Sequence, residues 1–130
     1  QRKVSLPLRL QAYERIIVFL ERIHPFSLLQ RVYQSNMLVT ELQLELVKTV
    51  RLEYEYNLSQ QMYINDDAWQ MVATAKEETI KIINIAGQQM DEASTAIDLN
   101  AKIFEMVAEV GVLPTEITIE FLKKELQELF

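Results

Sequence analysis

The sequence contains no cysteine, and this absence removes several kinds of chemistry at once. Without a thiol the chain forms no disulfide, offers no thiolate nucleophile and builds no cysteine-ligated zinc site. It also has only 2 glycines and 3 prolines among its 130 residues. Because glycine is so scarce, a glycine-rich phosphate-binding loop cannot be built, and the shortage of both helix breakers favours long helices with short connections.

Long apolar runs are missing as well. The longest unbroken apolar stretch, Ile16 to Leu20, is far shorter than the ~20 residues that a helix needs to cross a bilayer. A catalytic constellation is also missing, because the chain has a single histidine and no Gly-x-Ser-x-Gly nucleophile motif. We therefore predict that the protein is not an enzyme, and we assign it no catalytic residue and no cofactor.

What the sequence does contain suits one helical domain. Its residues are 49% hydrophobic and 25% charged, which is enough apolar material for one buried core. Apolar side chains recur at three- and four-residue steps in six segments, the pattern of helices with one buried face. Four segments cover about 6–23, 27–34, 40–64 and 66–90. The fifth follows a cap at Ser94 or Thr95, and the sixth follows Thr115. The prediction is an all-α, single-domain bundle of about six helices over residues 1–130.

Several helix ends can be predicted from local signals. Ser27 with Gln30, and Thr40 with Gln43, have the spacing of a capping box at the start of the second and third helices. Thr115 is placed to cap the sixth helix. Gly111, followed closely by Pro114, is expected to end the fifth.

One stretch of the third helix is ambiguous. From Val50 to Leu58 apolar and polar residues alternate strictly, which is typical of a strand. No second strand-like run exists to pair with it, and a lone strand leaves its backbone groups unsatisfied, so we predict a helix. Leu52 and Tyr56 then point away from the buried stripe, and with Tyr63 they form the predicted interaction surface. Tyr56 is expected to be the most exposed aromatic of this region, while core packing is expected for its neighbours Tyr54, Met62 and Trp69.

Glu21 and His24 have the Glu-x-x-His spacing of metal-binding helical bundles. Such di-iron sites need this motif twice, and one histidine cannot supply both copies. His24 also precedes Pro25, where the first helix must end, and an imidazolium there would interact well with the terminal carbonyls. We predict a structural capping role for His24 and no metal site.

Pairs of carboxylates at helical spacing do not indicate a catalytic site either. Adjacent acids on one helix face lack the opposed geometry of a catalytic pair, so solvated surfaces are predicted for Glu41/Glu45, Glu105/Glu109 and Glu116/Glu120. The sixth helix has two lysines against four glutamates. Because DNA recognition requires positive charge towards phosphates, no nucleic-acid partner is expected.

Charge is distributed unevenly along the chain. Residues 1–31 carry six basic and two acidic side chains, a net charge of +4, whereas residues 32–130 have a net charge of −10. The basic N-terminal part has three interpretations. Its cations can pair with the acidic remainder inside the fold, attract an acidic partner, or lie beside a membrane whose anionic lipids attract lysine and arginine.

Several stretches resemble a family of short, uncharacterised bacterial proteins. The resemblance rests on L-P-L-R-L-Q-A-Y-E-R-I-I-V-F-L-E-R-I (residues 6–23), E-Y-E-Y-N-L-S-Q-Q-M-Y (53–63), D-A-W (67–69), A-K-E-E (75–78) and the ending L-P-T … F-L-K-K-E-L … L-F. Similar members begin with an N-terminal transmembrane helix that is absent from this chain, and they often have histidine at the position of Tyr56. The resemblance implies a soluble helical domain on the cytoplasmic side of the inner membrane, part of a longer anchored chain.

The expected function is a non-catalytic interaction or scaffold module at the membrane surface. Arg2, Lys3 and Arg9 would face the lipid headgroups, and the acidic remainder would meet a protein partner. The alternative is a carrier or sensor for an apolar small molecule in the bundle core, with an adaptable pocket formed by Met62, Met71, Met90 and Met106. Self-association is compatible with either function, and the sequence fixes no stoichiometry.

Overall fold

The computed structural model describes residues 6–129, which form six α-helices and one 3₁₀ helix, without a strand in that range. The elements are α1 (Leu6–Ile23), α2 (Pro25–Val32), α3 (Val39–Tyr56), the 3₁₀ helix (Leu58–Tyr63), α4 (Asp66–Gln88), α5 (Ala96–Val110) and α6 (Pro114–Glu128). The all-α bundle is therefore confirmed. The alternating stretch is helical as far as Tyr56.

Helices α3, α5 and α6 begin with the same device. In each, a carboxylate in the first turn accepts a hydrogen bond from the backbone N–H of the residue before the helix. The pairs are Leu38 with Glu41, Thr95 with Asp98, and Leu113 with Glu116, each at 2.8 Å. The predicted caps at Thr40 and Thr115 are wrong, because the helices begin one residue earlier, at Val39 and Pro114, so each threonine lies inside the first turn.

Two helix boundaries differ from the prediction for local reasons. Helix α2 begins at Pro25, not Ser27, because His24 caps it: the imidazole Nδ1 accepts a hydrogen bond from Phe26 N–H at 3.2 Å. Proline suits the first helical position, where no N–H is required. Helix α3 ends at Tyr56, not near Ile64, because the Asn57 side chain donates to the Glu53 carbonyl at 2.8 Å and the chain tightens into the 3₁₀ helix.

The longest helix, α4 with 23 residues, packs against α1, α3, α5 and α6. The first residue of α1, Leu6, is 42% exposed, and the buried residues of this helix are Ala12, Tyr13, Ile16, Phe19, Leu20 and Ile23. The fifth helix ends where predicted, with Gly111 at φ 83°. The largest fully buried side chains are Tyr13, Ile16, Phe19, Leu20, Ile23, Leu28, Leu42, Leu46, Ile83, Leu99, Ile103 and Leu122.

A polar junction ties three helices together beside this core. The hydroxyl of Tyr13 on α1 donates a hydrogen bond to Glu125 Oε1 on α6 at 3.0 Å. The other oxygen of Glu125 accepts from the amide of Asn65. Asn65 in turn caps α4, since its Oδ1 accepts from Ala68 N–H at 2.9 Å. One carboxylate thus fixes the relative positions of α1, α4 and α6.

Tyr13 gives the fold a pH dependence at alkaline pH. Burial, reinforced by the hydrogen bond to Glu125, raises the pKa of Tyr13 above its ordinary value of 10.0, while Arg9 partly opposes this rise. The folded chain therefore holds this proton more tightly than the unfolded chain. Its stabilising contribution is complete below the unfolded pKa of 10.0 and is lost as pH rises through the raised folded pKa.

We expect the free energy of unfolding of the wild type to fall more steeply above pH 10.0 than that of Tyr13→Phe. Phenylalanine fills the same space but has no proton to lose. Urea denaturation followed by circular dichroism between about pH 7 and pH 11 measures both curves. Parallel curves for the two proteins would contradict the assignment.

Candidate functional site

The candidate site is a surface groove of about 580 Å³ between α1 and the end of α3. Helix α1 reaches it with one face, because positions 11, 14, 15, 18 and 22 recur at helical spacing. The end of α3 closes the other side. The lining residues are Gln11, Glu14, Arg15, Val18, Phe19 and Arg22 from α1, with Glu53, Tyr56 and Asn57 opposite.

Among the large hydrophobic side chains of the groove, that of Tyr56 is the most exposed. It is 83% exposed at the last position of α3, which confirms the expectation that it is the most exposed aromatic of its region. Val18 across the groove is 55% exposed, whereas Phe19 beneath is only 1% exposed. The groove therefore combines a buried aromatic floor with two apolar side chains that solvent reaches.

An ion cluster closes one end of the groove. Glu53 accepts hydrogen bonds from Arg22 Nε at 2.8 Å and from Arg31 of α2, also at 2.8 Å. The pairing raises the pKa of Arg22, chiefly through its hydrogen bonds to Glu53. Arg31 also donates to the carbonyl of Arg22 at 3.1 Å, which holds the corner between α1 and α2. For these two arginines, the interpretation of pairing within the fold is the correct one.

Arg15 lies towards the other end, and its surroundings differ. Its guanidinium donates a long hydrogen bond of 3.4 Å to Asn57 Oδ1. Within residues 6–129, no carboxylate approaches Arg15 to ion-pair distance. Arg15 and Arg22 line the groove together with two acids, Glu14 and Glu53, so the charges of the lining balance; Arg31, which lies outside the lining, adds one positive charge to the ion cluster.

The structure brings the predicted interaction surface together only in part. Leu52, 50% exposed, lies one turn before Tyr56 on the outer side of α3. Tyr63 instead packs partly buried against the core, and neither Leu52 nor Tyr63 lines the groove. Met62 is 73% exposed, so the core position expected for it is wrong, while Trp69 is buried as expected.

The residues predicted to face a membrane are described only in part. Arg2 and Lys3 lie outside the described residues. Arg9 is half-buried on α1, close enough to Tyr13 to affect the pKa of that residue. No helix between residues 6 and 129 has both the length and the apolar character needed to cross a membrane.

In the Glu21-x-x-His24 motif, whose spacing resembles that of a metal site, the histidine has a structural role. The histidine caps α2, and its ring packs on Phe26 at a centroid distance of 5.0 Å. The expectation that it stabilises the end of the first helix is therefore corrected, since it begins the second. Nowhere in residues 6–129 do three metal-ligating side chains come together. The acid pairs predicted to be solvated, Glu41/Glu45, Glu105/Glu109 and Glu116/Glu120, are all exposed.

The four methionines of the carrier hypothesis lie in different places. Met62 is on the exposed side of the 3₁₀ helix, and Met71 borders a groove between α4 and α6. Met90 and Met106 pack partly buried against the core. The carrier function stays a prediction.

The α1 side of the groove was not predicted from the sequence. Val18 lies outside the buried face of α1, and an apolar residue at that position is the signal that could have indicated an exposed contact surface. Which element would face Val18 could not be known, because the partner wall is contributed by residues 53–57, more than thirty positions later.

Comparisons with known proteins give one match. A family model described as a family of unknown function (DUF7935) matches residues 1–129. No curated protein and no solved structure matches the chain.

The ion cluster should stabilise the fold measurably. Replacing Glu53 by Gln leaves Arg22 and Arg31 without their shared acceptor charge, and we expect the free energy of unfolding to fall by about 1–2 kcal/mol. Chemical denaturation at low and high salt measures this loss, which should shrink with added salt.

Glu55→Gln is the matched control, because Glu55 is an exposed residue of the same helix with no ion pair in the described range. Equal losses for the two variants would show that the cluster does not hold α1 and α2 on α3.

Proposed function

The chain belongs to the family of unknown function DUF7935, and we propose that it is a non-catalytic interaction module that binds a protein partner in the α1–α3 groove. In the full-length protein, the module is held at the cytoplasmic surface of a bacterial inner membrane. The groove is the part of the molecule that meets the partner.

The observation that carries this proposal is the exposure of Tyr56 at the rim of a concave surface. Tyrosine and arginine are the residue types most enriched among those that dominate binding energy, and both border this groove. Tyr56 is carried by a regular helix, and a tyrosine has only two side-chain torsions to fix. Immobilising it against a partner therefore costs little conformational entropy.

The chemistry of the lining favours binding over catalysis. Glu53 and Arg22 neutralise each other, and the remaining polar groups of the groove are amides and exposed charges. A nucleophile held beside a general base is what covalent catalysis requires, and the lining offers no such pair. What it offers is an aromatic wall, an aliphatic patch and an arginine without a carboxylate partner.

We expect a photo-crosslinking amino acid at position 56 of the full-length protein, expressed in its native host, to capture one defined partner. The same amino acid at position 112 is the control, since Val112 is 64% exposed in the loop before α6 and does not line the groove. Equal capture of the same protein from both positions would contradict the groove as the binding surface, and so would no capture from position 56.

Once the partner is identified, Tyr56→Ala should weaken its binding by about tenfold or more, since aromatic anchors often contribute over 1.4 kcal/mol. The free energy of unfolding should change by less than about 0.5 kcal/mol because the ring is exposed. Leu44→Ala is the matched control: Leu44 is 69% exposed on α3 but outside the groove. Binding that is equally sensitive to both substitutions would overturn the assignment.

The membrane location is supported by charge and by the family resemblance. Arg22 and Arg31 form ion pairs with Glu53. Arg2, Lys3 and Arg9 are the basic residues nearest the start of the chain. Lysine and arginine concentrate on the cytoplasmic side of membrane segments. Similar proteins carry an N-terminal transmembrane helix, which would place these residues next to the headgroups.

Fractionation of the full-length protein from its native host tests the location. We expect it in the membrane pellet after both high-salt and alkaline-carbonate washes, because an inserted helix resists both treatments. Release by salt alone would leave only electrostatic attachment, and recovery in the supernatant from the start would refute the membrane location.

A further inference from the structure

Helix α5 has an outer face that no other element of residues 6–129 covers. Ile97, Ala101, Phe104 and Ala108 follow one another at steps of four, three and four, so they form one line along the helix, and all four are exposed. Ile97 is 60% exposed and Phe104 44%. The line is apolar throughout, with Ala101 between the two large side chains and Ala108 beyond them.

Helix α2 widens this face with a second aromatic ring. Phe26 is 40% exposed and packs against Phe104 with a centroid distance of 4.4 Å. Two partly exposed phenylalanines in contact, next to the apolar line of α5, form an exposed apolar patch of the kind that marks interaction sites. Below, the α5 face means Phe26, Ile97, Ala101, Phe104 and Ala108.

The charges beside the α5 face are almost all negative and lie on one side. Asp98, Glu105 and Glu109 each come one position after a residue of the apolar line, so all three are rotated about 100° in the same direction and flank it on the same edge. All three are exposed. Lys102 comes one position after Ala101, so it lies on the same edge, where it pairs with Glu105 at 3.3 Å and leaves the edge with a net charge of −2. Asp98 also accepts a hydrogen bond from the Thr95 N–H at the start of α5.

A second copy of the chain is a poor occupant for electrostatic reasons. In an antiparallel pair of α5 helices, the two acidic edges would lie side by side, and like charges in contact oppose association. In a parallel pair, each acidic edge would meet the opposite edge of the other α5, where Asn100, Ile103 and Val107 supply no cation. An anionic membrane would be repelled as well.

We propose that the α5 face binds an amphipathic helix of another protein, with an apolar stripe and lysines or arginines along one edge. The stripe covers the two phenylalanines and Ile97, while the basic edge meets Asp98, Glu105 and Glu109. This surface uses none of the residues of the α1–α3 groove, so the inference goes beyond the function proposed above and does not depend on it. It makes the domain a scaffold with two chemically different binding surfaces.

The test uses a synthetic helical peptide of the length of α5, with leucines at i, i+4, i+7 and i+11 and lysines along one edge. A second peptide has glutamate in place of every lysine. Binding of each to the purified chain is measured by fluorescence anisotropy. We expect the lysine peptide to bind, with an affinity that falls as salt is added, and the glutamate peptide to bind at least about tenfold more weakly.

Charge reversal then locates the site. The double substitution Glu105→Lys with Glu109→Lys should weaken binding of the lysine peptide by about tenfold or more and strengthen binding of the glutamate peptide. The matched control reverses two exposed glutamates of α6, Glu120→Lys with Glu128→Lys, for the same change in net charge. Ala101→Arg, which places a bulky side chain in the apolar line, should abolish binding of both peptides. Unfolding curves of each variant establish that it is folded.

Three results would overturn the proposal. The first is failure of the lysine peptide to bind at any concentration at which it remains monomeric. The second is an equal loss of affinity from the α6 control variant, which would mean that only the net charge attracts the peptide. The third is a wild-type dimer in sedimentation that Ala101→Arg dissociates, because a second copy would then be the occupant.

Discussion

The candidate site depends on one carboxylate. Glu53 lies on α3, yet its two ion-pair partners come from α1 and α2, so a single side chain holds the corner between these helices against a third element. Because two cations share one acceptor, the cluster keeps a positive charge after pairing. The position of Glu53 three residues before Tyr56 also places that charge beside the exposed ring. The groove is thus a consequence of how the basic N-terminal part packs.

A second carboxylate, that of Glu125, joins elements in a similar way on the other side of α1. Glu125 accepts from Tyr13 and Asn65 and so fixes α1, α4 and α6 relative to one another. Helix α1 is held by polar contacts on two flanks and by its buried face between them. Its remaining face, with Arg15 and Val18, is left for the solvent or a partner. This division explains why an apparently very apolar helix still contributes to a binding surface.

The two proposed surfaces differ in the residues that border them because the sequence separates its charges. Two residues of the basic N-terminal part, Arg15 and Arg22, reach the α1–α3 groove, whereas residues 91–110 are acidic and border the α5 face. Under the two proposals above, surfaces of different character would select different partners.

The sequence alone determined the class of the fold, because local signals govern helices. Scarce breakers and apolar residues at helical steps predicted an all-α bundle, and the helix for residues 50–56 followed from the absence of any pairing strand. Gly111 ended α5 as predicted, and the exposure of Tyr56 followed from its place opposite the buried stripe. Two helix starts were predicted one position late, since α3 and α6 begin before Thr40 and Thr115 with the carboxylates of Glu41 and Glu116 in their first turns.

Only the tertiary structure decided which faces meet. Val18 and Tyr56 are separated by more than thirty residues, and no local rule states that α1 and the end of α3 enclose a groove. The pairing of Phe26 with Phe104 spans an even longer stretch of chain. Helical periodicity identifies the buried side of each helix, but it does not indicate which other helix packs there. That choice depends on packing and desolvation across the whole chain, whereas helix formation needs only contacts three and four residues away.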